Sequence, residues 1–228
     1  MTEATDPYCL RAGETAVLLA GHPWSRFAVL GDSVAEGAGD PVDGYRNLPW
    51  ADRIAAELTS VRPGVAYLNL GVRNLRASQV RGRQLEPALA FGPDLAMVVC
   101  GANDALRPGF DPSAVDREIE TMVTALRGRG ADVMTVSVFV LEDYPGVPDA
   151  LRRGFSDRLR VLARHTTALA QRLGTIHVDL ANHPAGYDSR MHSDDGVHGN
   201  GRSHGIAAAE AVRRLGAFLG NTFVEEHA

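Results

Sequence analysis

The sequence predicts an α/β domain built on a five-stranded parallel sheet, on three observations. Apolar runs and amphipathic stretches alternate five times along the chain, the order that gives a parallel sheet with right-handed crossovers. One run, Asp94-Leu95-Ala96-Met97-Val98-Val99-Cys100, is unbroken apolar after its first residue, as in a strand covered on both faces. At 228 residues, with 45% hydrophobic and 22% charged content, the chain suits one such domain with a substantial core. No repeat or low-complexity linker divides it, so residues 1–228 read as a single domain with residues 1–25 as a lead-in.

Within the lead-in, residues 13–21 predict a short helix. Strand one follows over Arg26 to Leu30, ending in Gly31-Asp32-Ser33, and a polar, glycine-rich loop runs from Gly37 through Tyr45. Trp50, Ile54 and Leu58 stand four apart, a helical stripe. Val65 to Leu70 reads as strand two, and Ser78 to Phe91 as a helix that Pro87 bends or ends. Strand three stops at Gly101-Ala102-Asn103-Asp104. A helix over Asp111 to Arg129 presents Ile119, Met122, Val123 and Leu126 on one side, and Asp132 to Val138 is strand four. After a loop from Phe139 to Pro148 come a helix from Asp149 to Leu173, strand five over Thr175 to Leu180, a loop to Asn200 and a last helix from Gly205 to Leu219.

Several function classes fall away on composition. Net charge is −5 and arginines are scattered rather than clustered, so no nucleic-acid partner is expected. No apolar run approaches the roughly 20 residues that a membrane span requires. The acidic first residues lead into no apolar core, so no signal peptide is expected. Cys9 and Cys100 are two cysteines far apart, read as reduced thiols of a cytoplasmic protein. Neither a G-x-G-x-x-G nor a P-loop pattern occurs, and Trp50 and Tyr45 read as core and pocket lip. The histidines at 192, 198 and 204 are six apart, a spacing that fits no usual zinc site. No metal and no cofactor are expected.

Three strand ends carry the chemistry. Ser33 follows strand one, Asn103 follows strand three, and Asp195-Gly196-Val197-His198 follows strand five. In a doubly wound parallel sheet all three lie on the carboxyl edge, where such folds bind ligands. A serine hydroxyl becomes a nucleophile when an imidazole takes its proton, and a carboxylate fixes the tautomer of that imidazole. Asp195 and His198 are three apart, close enough to pair, which leaves the second ring nitrogen for Ser33. The Asn103 amide and the Ser33 backbone N–H supply donors for an oxyanion. Asp32 and Asp104 read as supports for their loops, and Asp194 as a solvated neighbour.

These residues resemble the SGNH hydrolases, also called GDSL esterases and lipases. Gly31-Asp32-Ser33 matches the first block of that family, Gly101-Ala102-Asn103-Asp104 its G-x-N-D block, and Asp195-Gly196-Val197-His198 its D-x-x-H block. The resemblance spans residues 26 to 200. It implies a three-layer, flavodoxin-like α/β/α fold with Ser33 as nucleophile, His198 as base and Asp195 as its partner. One block departs. Where the family usually carries an oxyanion glycine five residues after the asparagine of strand two, this chain has Asn74. Its backbone N–H is expected to serve, since asparagine tolerates left-handed backbone; Gly71 in a shifted loop is the alternative.

The expected function is a serine esterase acting on a small-molecule carboxylic ester or thioester through an acyl-enzyme. Two alternatives stay open from sequence: an acyltransferase or thioesterase using the same site, and a catalytically silent binding module. The loops over 40–47 and 139–148 are expected to shape the pocket.

Overall fold

The computed structural model describes residues 1–141, 144–152 and 154–224. Five parallel strands, β1 (Arg26–Gly31), β2 (Ala66–Asn69), β3 (Leu95–Val99), β4 (Asp132–Ser137) and β5 (Ile176–Asp179), form one sheet in the order β2-β1-β3-β4-β5. The order reverses between β1 and β3, so a crevice opens at their carboxyl ends. The helices are α1 (Glu14–Leu18), α2 (Ser33–Glu36), α3 (Trp50–Val61), α4 (Ala77–Phe91), α5 (Ala102–Ala105), α6 (Pro112–Arg127), α7 (Asp149–Arg152), α8 (Phe155–Leu173) and α9 (Gly201–Leu219).

Strand residues alternate between two apolar cores, as the two-residue period of a strand requires. Leu30, Ala96, Val98 and Val133 pack with α4, α6 and α8, while Phe27, Val29, Met97, Met134 and Val178 pack with α1, α3 and α9. The three-layer flavodoxin-like arrangement expected from the sequence is the one observed. No helix among the described residues is long and apolar enough to cross a membrane.

One expected helix is broken in two, a second keeps its expected end while running on through its proline, and a third starts early. The helix expected over 149–173 is two pieces, because Gly154 at φ 71° breaks the run and begins α8; the expected helix also includes Arg153, which lies outside the described residues. Helix α4 passes through Pro87 to Phe91. Pro87 sits on the exposed side, where water can serve the carbonyl that a proline leaves without its N–H partner. Helix α9 begins at Gly201 rather than Gly205, since the Asn200 side chain caps it, accepting the N–H groups of Arg202 (3.1 Å) and Ser203 (3.4 Å).

The lead-in is stitched to the domain. Asp6 accepts a 2.7 Å bond from Arg202, with side-chain exposures of 0% and 5%, and a 2.8 Å bond from the Tyr45 hydroxyl. Tyr45 is therefore buried and not a pocket lip: its hydroxyl is drawn inward to a carboxylate. Cys9 and Cys100 are free and buried, and burial pushes the Cys9 thiol up to about 12.

Candidate active site

The turn after β1 is tightly specified. A side chain on Gly31 would lie 2.0 Å from the Val99 carbonyl oxygen of the neighbouring strand, so only glycine fits there. Both backbone groups of Gly31 bond the buried Gln84 of α4: its N–H donates to Gln84 Oε1 at 2.7 Å, and Gln84 Nε2 donates to its carbonyl at 2.8 Å. Sequence reading missed Gln84. The available signal was a polar residue on the buried face formed by Val80, Gln84 and Ala88 of α4.

Asp32 then caps α2, its Oδ1 accepting the Val34 N–H at 3.0 Å, and Ser33 takes the first helical position at 8% exposure. Burial pushes the Asp32 carboxyl up to about 6, with the nearby Asp104 carboxylate adding to the rise and the Val34 N–H opposing it. Asp104 in turn accepts the Ala77 N–H at 2.9 Å, tying the start of α4 to α5. Both aspartates support loops, as read from the sequence.

The structure brings Ser33, His198 and Asp195 into one chain of hydrogen bonds. His198 Nε2 lies 2.9 Å from Ser33 Oγ, and His198 Nδ1 lies 2.6 Å from Asp195 Oδ2. A carboxylate only accepts, so Nδ1 carries the proton and Nε2 is free to accept from the serine hydroxyl. The second oxygen, Asp195 Oδ1, accepts the backbone N–H groups of Val197 and His198, each at 2.9 Å. Partial burial pushes the Asp195 carboxyl up, but the bonds from the His198 ring and these N–H groups outweigh it and hold it below its ordinary value. Asp194 is exposed and its N–H donates to Asp40 Oδ2 at 2.6 Å.

The other histidines go elsewhere. His204 Nδ1 accepts the Trp50 N–H at 3.3 Å, and burial holds its ring down to about 4, neutral at physiological pH. His192 Nδ1 lies 3.5 Å from the Ser189 carbonyl.

Two asparagines face the same space. Asn103, in α5, donates through Nδ2 to the Leu75 carbonyl at 3.1 Å and to Asp32 Oδ2 at 3.4 Å. Asn74 has φ 67°, the one non-glycine residue with positive φ among the described residues. Its loop is pinned by Arg73, whose N–H and guanidinium both bond Glu36 of α2. The alternative donor, Gly71, already gives its N–H to Asn69 Oδ1 at 2.9 Å. Glycine is needed at 71 for another reason: a Cβ there would lie 2.2 Å from the Glu36 nitrogen.

Ser33, Asn74, Asn103 and His198 line a cavity of ≈ 330 Å³, within the usual range for small-molecule sites. The 139–148 loop forms part of its wall through Phe139, Leu141, Tyr144 and Val147, as expected. The 40–47 loop does something different. Asp40 clamps the histidine loop, accepting the N–H groups of Asp194 and, at its backbone carbonyl, Gly201 (2.8 Å), while Ser193 Oγ accepts the Asp40 N–H (2.8 Å). The two wall loops also meet: Gly146 N–H donates to the Gly196 carbonyl at 3.1 Å.

Comparison with known proteins gives the chain a family. The model of the GDSL-like lipase/acylhydrolase family matches residues 29–206. An arylesterase of Vibrio mimicus is 25% identical over 137 residues, which is 60% of this chain and 62% of that protein, so the match spans under two thirds of the relative's length. Among solved structures, a lipase/acylhydrolase from Enterococcus faecalis superposes with a TM-score of 0.67 at 18% identity, over 85% of this chain and 96% of that one. A catalytic mutant of an acetylxylan esterase from Geobacillus stearothermophilus superposes with a TM-score of 0.66 at 16% identity, over 86% of this chain and 94% of that one. These structures share the fold. The family match covers most of the chain, and the chain belongs to the GDSL-like lipase/acylhydrolase family.

Proposed function

We propose that the chain is a serine esterase that hydrolyses a carboxylic ester through an acyl-enzyme on Ser33. The observation that carries this reading is the relay from Asp195 Oδ2 through His198 to Ser33 Oγ, at 2.6 and 2.9 Å, opening on a cavity.

In the mechanism, Ser33 Oγ attacks the ester carbonyl carbon while His198 Nε2 takes its proton. Asp195 stabilises the imidazolium and keeps its ring oriented. The negative oxygen of the tetrahedral intermediate accepts bonds from three donors. One is the Ser33 N–H, at a helical position where the helix itself supplies no acceptor. Another is the Asn74 N–H, presented by its left-handed backbone. The third is Asn103 Nδ2: one of its hydrogens stays on Leu75, and the other, in only a long 3.4 Å contact with Asp32, turns to the oxyanion. Collapse returns the proton from His198 to the alcohol oxygen, and a water activated by the same nitrogen then releases the acid.

Replacing Ser33 with alanine tests the reading. Hydrolysis of p-nitrophenyl esters should fall roughly 10³-fold or more, the remainder coming from binding and the oxyanion donors. Wild-type activity in that variant would remove Ser33 as the nucleophile.

A further inference from the structure

The esterase reading leaves open which ester is cleaved, and the inference that follows rests on that reading. The sheet order places Ser33 at the exit of β1, with β2 on one side and β3, β4 and β5 on the other. The apolar wall of the cavity comes from the second side: Leu106 beyond β3, Phe139 and Leu141 beyond β4, Leu180 beyond β5, and Phe155 and Leu159 of α8. Asn74, beyond β2, is the polar contribution from the first side.

Three polar side chains of the wall are turned to protein partners. The Tyr144 hydroxyl accepts the Leu141 N–H at 3.0 Å and donates to the Phe139 carbonyl, Trp50 Nε1 donates to the Val34 carbonyl at 2.6 Å, and Ser203 Oγ donates to Met191. His204 Nε2 is the exception, buried without a hydrogen-bond partner and packed close to Gly39. No lysine or arginine is among the described lining residues. A sugar or phosphate placed along the apolar stretch of this wall would leave most of its polar groups unpaired, which is unfavourable wherever water is displaced. A hydrocarbon group would not.

The chemistry of turnover decides which half of the ester enters. After acylation the alcohol leaves and a water must reach His198 from the side it vacated. The water-excluding, apolar part of the cavity is therefore the part that keeps the acyl group. Its inner limit is also visible. Leu159, Ala102 and Val138 line both this cavity and a second space of ≈ 10 Å³ deeper between the sheet and α8, beside Asp32 and Ser137. Leu159 has the largest side chain of the three shared residues, the one whose truncation would do most to join the two.

We infer that the cavity selects the acyl part of the substrate, a hydrocarbon chain longer than acetyl, and that Leu159 sets the length at which it ends. The test is a series of p-nitrophenyl esters from acetate to decanoate, with an acetylated xylo-oligosaccharide alongside. In the wild-type protein kcat/KM should rise roughly fourfold per added methylene until the cavity is filled, the factor expected for burying one methylene. Leu159→Ala should move the optimum to longer chains. Leu106→Trp, at a half-buried position, should lower the decanoate-to-acetate ratio at least tenfold. Each ratio is taken on one sample, so a partly folded variant does not distort it. Flat or falling kcat/KM beyond acetate, a preference for the acetylated oligosaccharide, or an optimum unmoved by both substitutions would overturn the inference, with Ser33-dependent hydrolysis still standing. Absence of any Ser33-dependent hydrolysis would overturn the esterase reading together with the inference.

Discussion

Replacing Asp195 with asparagine should be far more damaging than its single-atom change implies. Asp195 Oδ1 already accepts two backbone N–H groups, from Val197 and His198 at 2.9 Å each. In Asp195→Asn the amide oxygen must keep that place, because an amide nitrogen there would set donors against donors. The amide NH₂ is then forced to face His198 Nδ1, 2.6 Å away in the native site. Nδ1 must accept instead of donate, which moves the ring proton to Nε2 and leaves nothing to take the Ser33 proton. The expected loss in kcat is on the order of 10³–10⁴-fold, or roughly 4–5.5 kcal/mol of barrier. The assay is steady-state hydrolysis of p-nitrophenyl hexanoate, with circular dichroism to establish that the variant is folded. A folded variant that keeps more than a tenth of wild-type kcat would refute the tautomer argument.

Three further outcomes follow from the same geometry. Asn103→Ala should lower kcat by about 10²–10³-fold with little change in KM, since the amide acts on the oxyanion rather than on bound substrate; an effect confined to KM would contradict that role. Asp32 is 1% exposed with its carboxyl raised to about 6 from 3.8, so the folded state holds the proton more tightly than the unfolded chain. Stability should therefore fall as pH rises from about 4 to about 6, by at most roughly 3 kcal/mol; denaturant melts of Asp32→Asn should lack that decline, and an identical decline would refute the assignment. Removing one partner of the buried Asp6–Arg202 pair (2.7 Å) strands the other charge, so Arg202→Met should destabilise by about 3–5 kcal/mol. A change under 1 kcal/mol in urea melts would show that the lead-in is not held as described.

The sheet and the candidate site residues were legible because their signals are local. Apolar runs mark strands at any position. Gly31-Asp32-Ser33 and Asn103 lie within a few residues of a strand end, and Asp195 and His198 lie three residues apart in one turn of chain. What escaped was long-range pairing. Gln84 bonds Gly31 across 53 residues, and Arg202 bonds Asp6 across 196, and neither pairing has a period or a motif that would announce it. Asp40 and Tyr45 were misread for the same cause. Both sit in a polar loop that resembles a lip in sequence, yet one holds the histidine loop and the other turns its hydroxyl to a buried carboxylate. Gly154 starts a helix afresh because of the φ it adopts, and an isolated glycine in a helical pattern does not reveal that in advance.

The central claim is that Ser33 is a hydroxyl activated by His198. Treatment of the folded protein with a fluorophosphonate, followed by peptide mapping, tests it most directly. The expected result is stoichiometric phosphonylation of Ser33 in the wild type, slowed at least 10³-fold in a folded His198→Ala variant. Labelling at another residue, or equal labelling of Ser33 without His198, would contradict it.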